Sequence, residues 1–263
     1  MKNTLISTTN SEILENLILK YGQIVTSQQI FAEENALFNH KQAQYFIATL
    51  VAHGWLMRIK KGLYAISDLS TRGFLALSSF AVAHLLVNDS YISFESALQH
   101  HGMFDQLTKT TTSVSLKAHK RVLLQQIEYR FVKTKEEYYF GWQEVDIDHR
   151  ATRIATAEKA IVDMVNFHKS VYAIDVVMEK LREYKKDLDI ARLNEYIGKF
   201  SMTTIKIFGF LFDLLSMDSS QLLRRAQHTR GAHRMSASAR AFNAKWRLYY
   251  DEHFDQYKRV SSV

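Results

Sequence analysis

The sequence predicts an α+β protein in two parts, a small N-terminal domain over residues 1–70 and a larger one over residues 71–263. Three observations lead there. Amphipathic helical stretches fill residues 11–53 and run straight into a compact β-prone segment. Residues 111–118 and 127–132 alternate with the two-residue period of strands. From residue 157 to 227 the apolar residues recur with helical spacing. A chain of 263 residues has room for two domains, and 47% hydrophobic residues give each a core.

In the first domain, Ser11 can cap a helix carrying Ile13, Leu14, Leu17, Ile18 and Tyr21 on one face, with Gly22 as its stop. Thr26 or Ser27 can cap a short second helix, residues 28–35. Asn39 precedes a third, residues 40–53, closed by Gly54. Residues 55–66 then form two β-prone runs joined by Lys60-Lys61-Gly62, a hairpin signal. Three helices followed by a hairpin is the winged helix-turn-helix arrangement. In the third helix Ala43, Phe46, Ile47, Leu50 and Val51 define the buried stripe. The opposite face shows Lys41, Tyr45, Ala48 and Thr49, with Gln42 and Gln44 on its shoulders and no acid. Such a face can enter a major groove, where amides read adenine edges and Lys or Tyr meets phosphates.

The second domain begins beyond a junction near Asp68 to Arg72. Residues 74–87 read as an apolar helix, and Ser93 caps another, residues 94–101, stopped by Gly102. Residues 144–154 alternate loosely as one strand. Thr156 caps a helix over 157–167, and helical patterns follow at 172–184, 189–200, 203–217 and 219–227. Residues 244–250 look like a strand. The expected sheet is antiparallel.

Composition narrows the chemistry. The absence of Cys excludes a disulfide scaffold, a thiolate nucleophile and a Cys-ligated metal. Pro is also absent, where average usage predicts roughly 13. The net charge of +7 is uneven. Residues 219–247 hold Arg224, Arg225, Arg230, Arg234, Arg240, Lys245 and Arg247 and no acid. A second basic run holds Lys117, Lys120, Arg121, Arg130, Lys133 and Lys135 against Glu128 alone. Basic surface of this density suits a polyanion or an acidic partner protein.

Phosphate-cradling glycine loops and the H-E-x-x-H metal motif are absent from the sequence. His100 and His101 are adjacent, so on a helix they cannot share a metal face. Glu144, Asp146 and Asp148 on one strand face would resemble a nucleotidyltransferase Mg²⁺ pair, but no Gly is followed by Ser to make that chemistry's phosphate turn. They read as the wet face of a strand, and Glu158, on a helix with Lys159 and Asp163, as structural rather than catalytic. We therefore expect no enzyme, no metal and no cofactor. The N-terminus lacks a continuous apolar segment and no apolar run is long enough to span a bilayer, so a cytoplasmic protein without a membrane role is expected.

Several segments, in this order, resemble one family. They are the helices ending in Lys60-Lys-Gly-Leu-Tyr-Ala-Ile66, then Tyr91-Ile-Ser-Phe-Glu-Ser-Ala-Leu-Gln-His-His-Gly-Met103, then Ala155-Thr-Ala-Glu-Lys-Ala-Ile-Val-Asp163, and finally Lys245-Trp-Arg-Leu-Tyr249. Together they are similar to the AbiEi antitoxins, partners of AbiEii nucleotidyltransferase toxins in type IV abortive-infection systems. The likeness covers roughly residues 11–250. Ala157 departs from it, standing where the family pattern has Pro in the first helical turn. The resemblance implies a repressor that binds inverted repeats in its own promoter DNA, and an antitoxin that opposes an AbiEii-like toxin without necessarily forming a stable complex. DNA contacts would fall on Lys41, Gln42, Gln44 and Tyr45, and on Arg58, Lys60 and Lys61 in the hairpin. Arg224, Arg225, Arg230, Arg234, Lys245 and Arg247 would form a toxin-opposing or auxiliary basic surface. The alternative is a stand-alone winged-helix regulator whose C-terminal domain senses a ligand or partner.

Overall fold

The computed structural model describes residues 7–34, 40–67, 77–106 and 108–262. It is α+β and divides into two compact units. One comprises the described residues up to Asn88 with Val122–Glu128 and Asp146–Arg150; the other comprises Asp89–Arg121, Tyr129–Val145 and the chain from Ala151 onward. The junction expected at Asp68 to Arg72 lies outside the described residues.

The first unit runs α1 (Thr8–Tyr21), β1 (Ile24–Thr26), α2 (Ser27–Glu34), α3 (His40–Ala52), β2 (Leu56–Lys60), β3 (Leu63–Ile66) and α4 (Ser79–Leu86). Helix α1 starts before the expected cap at Ser11. Ser7 caps it instead, its hydroxyl accepting from the Asn10 N–H at 3.3 Å. Nothing in Thr8-Thr9-Asn10 breaks a helix, so the earlier serine wins. Strand β1 was not expected; it pairs antiparallel with β3, giving the order β1-β3-β2. The core draws Ile13, Leu14 and Leu17 from α1, Val25, Ile30 from α2, Phe46, Ile47 and Leu50 from α3, and Trp55, Leu56 and Ile66 around the hairpin. Each fully buried aliphatic contributes roughly 1.5–3 kcal/mol. Ile18, Tyr21 and Val51 lie at the margins of their stripes and are exposed, which corrects their expected burial.

A six-stranded sheet, order β6-β7-β5-β4-β9-β8, is built from β4 (Ser90–Ile92), β5 (Thr110–Ser115), β6 (Val122–Leu124), β7 (Ile127–Lys133), β8 (Trp142–Ile147) and β9 (Arg150–Ala155), with α5 (Phe94–His100) following β4. The sheet is mixed rather than antiparallel, because β4 runs antiparallel to β5 but parallel to β9 (Ile92 opposite Ile154). Some fifty-odd residues separate β4 from β9, ample length for a parallel return. The single strand expected over 144–154 is a hairpin, broken where Asp148 and His149 adopt φ of 53° and 59°. The three carboxylates therefore do not share one face. Asp146 accepts the His149 N–H at 3.1 Å, Asp148 accepts the Ser78 N–H at 2.6 Å, and Glu144 pairs with Arg153 at 3.3 Å.

Helices α6 (Ala157–Asp163), α7 (Val171–Glu183), α8 (Ile190–Gly198), α9 (Met202–Leu214) and α10 (Ser220–Ala226) complete the helical part, α6 passing into one wide π turn, Met164–His168. Thr156, Ser170, Asp189 and Ser201 each accept a first-turn N–H. A three-stranded sheet of β10 (His233–Arg234), β11 (Ala241–Asn243) and β12 (Leu248–Tyr250) follows, ordered β10-β12-β11. The expected strand over 244–250 is shortened because Trp246 turns back to accept no ladder partner; its N–H donates to Asn243 Oδ1 at 3.0 Å and Arg247 takes φ 48°. The Trp246 ring lies where any Cβ on Gly209 would sit, 2.1 Å away, so α9 can receive it only at a glycine. Its indole N–H donates to Asp213 Oδ2 at 2.7 Å.

A fully buried polar network in the second unit ties β4 to α6. Lys159 and Asp163, one helical turn apart and both fully buried, form an ion pair. Tyr91 and Ser93 donate to Asp163 Oδ2 at 3.0 and 2.7 Å, and the Lys159 ammonium also donates to Tyr91 Oη at 2.7 Å. Rings of Tyr91, Phe140 and Phe200 surround that ammonium at 5.0–5.1 Å. Burial pushes the Asp163 carboxyl up and the Lys159 amine down from their ordinary values, and the pairing works against both shifts. Ser93 thus spends its hydroxyl on Asp163 rather than on capping α5. Among the described residues, no helix is long and apolar enough to cross a membrane.

Candidate nucleic-acid interface

Helix α3 buries Ala43, Phe46, Ile47 and Leu50, and this fixes what it shows outside. Lys41, Gln42, Gln44, Tyr45 and Ala48 are exposed, Tyr45 to 76%. Thr49 turns its hydroxyl back to the Tyr45 carbonyl at 2.9 Å. The two shoulders of this face lead into different concavities. Lys41, Gln42 and Tyr45 line one with Thr49 and Asn10 of α1. Gln44 lines the other, together with Arg58 and Tyr64 of the hairpin, Lys61, Gly62 and Ser27.

The second cleft is shaped by the hairpin turn. Lys60 pairs with Leu63, leaving Lys61-Gly62 as the loop, and Gly62 takes φ +77°. The turn is anchored on the start of α2, where the Ser27 N–H donates to the Gly62 carbonyl at 3.0 Å. Arg58 stands opposite Tyr64 across β2 and β3, so both enter the cleft beside Gln44. Two cationic side chains, a phenol and an amide thus converge along one flank of α3. Lys60 points elsewhere: its ammonium donates to the Leu86 carbonyl at 3.3 Å, the C-terminal end of α4. Asn10, Ser27 and Tyr64 are additions that the α3 periodicity could not reveal. Tyr64 was accessible from the hairpin register once the Lys61-Gly62 turn was recognised.

The C-terminal basic residues separate into two groups. Arg225 donates to the Gly198 carbonyl at 2.8 Å, Arg234 to the Ala239 carbonyl at 2.6 Å, and Lys245 pairs with Asp213 at 2.8 Å. These three hold the local fold together. Arg224, Arg230, Arg240 and Arg247 are exposed. Among the described residues no three His, Asp or Glu side chains converge as a metal site.

No protein-family model matches this sequence, and no curated protein matches it. Among solved structures, the chain is similar to the RV2827C protein from Mycobacterium tuberculosis, with a TM-score of 0.68 and 15% identity over 99% of this chain and 97% of that one. At that identity the likeness is one of fold.

Proposed function

We propose that the first unit is a winged helix that binds duplex DNA, with α3 in the major groove and the β2–β3 hairpin as the wing. The observation that carries this reading is the convergence of Gln44, Arg58 and Lys61 in one cleft along α3. The order α1-β1-α2-α3-β2-β3, with a sheet ordered β1-β3-β2, supports it. Amides and cations on an acid-free helix face suit base edges flanked by phosphates. The biological role we propose is that of the AbiEi antitoxins the sequence resembles: repression of its own operon through inverted repeats, and opposition to a nucleotidyltransferase toxin. The meeting of two resemblance-bearing segments, Tyr91–Ser93 and Lys159–Asp163, in one buried network supports that assignment.

A gel-shift titration at two salt concentrations, against the upstream DNA of the gene and an unrelated duplex, tests the DNA-binding half. Tight, selective and salt-steep binding is the expected result. Weak binding that ignores sequence would reduce the first unit to a structural or protein-docking module. Co-expression with an AbiEii-like nucleotidyltransferase toxin tests the other half, and failure to restore growth would remove the antitoxin role.

A further inference from the structure

The three-stranded sheet of the second unit carries a row of side chains that the DNA reading does not use. Its register aligns one residue from each strand: Arg234 on β10 stands beside Tyr249 on β12, which stands opposite Phe242 on β11. Alternation along β12 sends Leu248 and Tyr250 into the core, where Tyr250 packs on Phe210 at 4.6 Å, and leaves Tyr249 on the outer face. Phe242 is 50% exposed, with its ring 5.0 Å from that of Tyr249. The Arg234 guanidinium lies 4.5 Å over the Tyr249 ring and is held there by its bond to the Ala239 carbonyl. The row is therefore a fixed platform of ring, ring and guanidinium about 9–10 Å wide. Exposed Arg230, Arg240 and Arg247 belong to the same acid-free stretch, residues 219–247.

We propose that this face binds single-stranded nucleic acid, stacking bases on Phe242 and on the outer plane of Arg234 while Arg230, Arg240 and Arg247 meet phosphates. An aromatic pair alone would serve a sheet equally well when buried by a neighbour. Half-exposed Phe242 beside a planar cation, in an acid-free stretch that also carries exposed Arg230, Arg240 and Arg247, suits a ligand that is flat, apolar on its faces and anionic along its backbone. Sheet surfaces that stack two or three bases on aromatic side chains work in this way. A duplex hides its base faces and cannot use the platform.

The test uses the full chain and fluorescence anisotropy with labelled 12-nucleotide oligo-U and oligo-dT at several salt concentrations. Both strands share the stacking chemistry, so binding of either supports the proposal, and a preference for oligo-U would identify 2′-hydroxyl contacts. Phe242→Ala is expected to weaken binding at least about fivefold, whereas Phe242→Trp preserves it. Arg240→Gln and Arg247→Gln should each lower the salt slope by roughly 0.7. Thermal melts matching the parent for Phe242→Ala separate lost stacking from lost folding. Lys61→Glu should leave oligonucleotide binding unchanged, so failure of the duplex reading and failure of this one are distinguishable. Absence of binding to both 12-mers, or equal binding by Phe242→Ala, overturns the proposal. So does equal competition by poly-glutamate, which would mark the surface as one for acidic protein.

Discussion

Lys159 and Asp163 are worth more as a pair than either is alone. Asp163→Ala would leave a buried ammonium without its carboxylate and should cost about 3–5 kcal/mol, read as a lower denaturation midpoint at unchanged slope. Replacing both partners with apolar residues, Lys159→Met with Asp163→Leu, should cost less than the single change. A smaller titration effect belongs to His233, whose Nδ1 lies 2.7 Å from Thr203 Oγ1. Burial, with the nearby Lys206 charge second, lowers its pKa below the usual 6.5, and burial followed by His101 does the same at His100. The folded protein thus binds these protons less readily than the unfolded chain. Their stability contribution is complete above about pH 6.5 and is lost as pH falls through the lowered folded values. The melting temperature should fall between pH 7.5 and 5, and His233→Gln should flatten part of that fall; an unchanged pH profile would exclude the histidine. Much at this level was legible beforehand, since the Thr156 cap and the α3 stripe, Val51 excepted, follow from side-chain chemistry and spacing alone. Ser93 was read as a cap because the sequence cannot show that a carboxylate seventy residues away competes for its hydroxyl.

The β2–β3 hairpin divides labour between adjacent lysines. Lys61 lines the cleft beside α3, so Lys61→Glu should weaken binding to every duplex and lower the salt slope by about 0.9. Lys60 donates to the end of α4, so Lys60→Glu should act mainly on stability, by about 0.3–1 kcal/mol. Equal salt slopes for the two variants would take the hairpin out of the interface. Gln44→Ala should instead relax sequence preference, at about 1–3 kcal/mol per base pair read. This hairpin was legible because a glycine marks its turn. The β6–β7 and β8–β9 turns were not, because Gln125, Gln126, Asp148 and His149 take positive φ without glycine. Strand β4 escaped for another reason: three residues buried on both faces show no alternation.

Across the whole chain, charge and connectivity carry different information. The net charge of +7 and its clustering were readable at once, and they point towards anionic partners without saying where each cation goes. The structure sorts them: Arg225, Arg234 and Lys245 are tied to the protein's own groups, and Arg230, Arg240 and Arg247 are exposed. Strand order was invisible because parallel return from β4 to β9 depends on contacts between distant segments. If the operator is an inverted repeat, two copies of the chain should occupy it. Sedimentation on a full repeat should then show twice the bound protein seen on a half-site duplex, and equal stoichiometry would rule out paired occupancy.

The middle strand of the C-terminal sheet is the last of its three to be synthesised. β10 and β11 have no common partner until residues 248–250 have left the ribosome, and Trp246 reaches Gly209 only at that same moment. A growing chain therefore carries the apolar face of α9 uncovered by that indole until translation has passed this point. A stop codon just ahead of residue 246 would leave Gly209 without its indole cover and β10 and β11 without the strand that joins them.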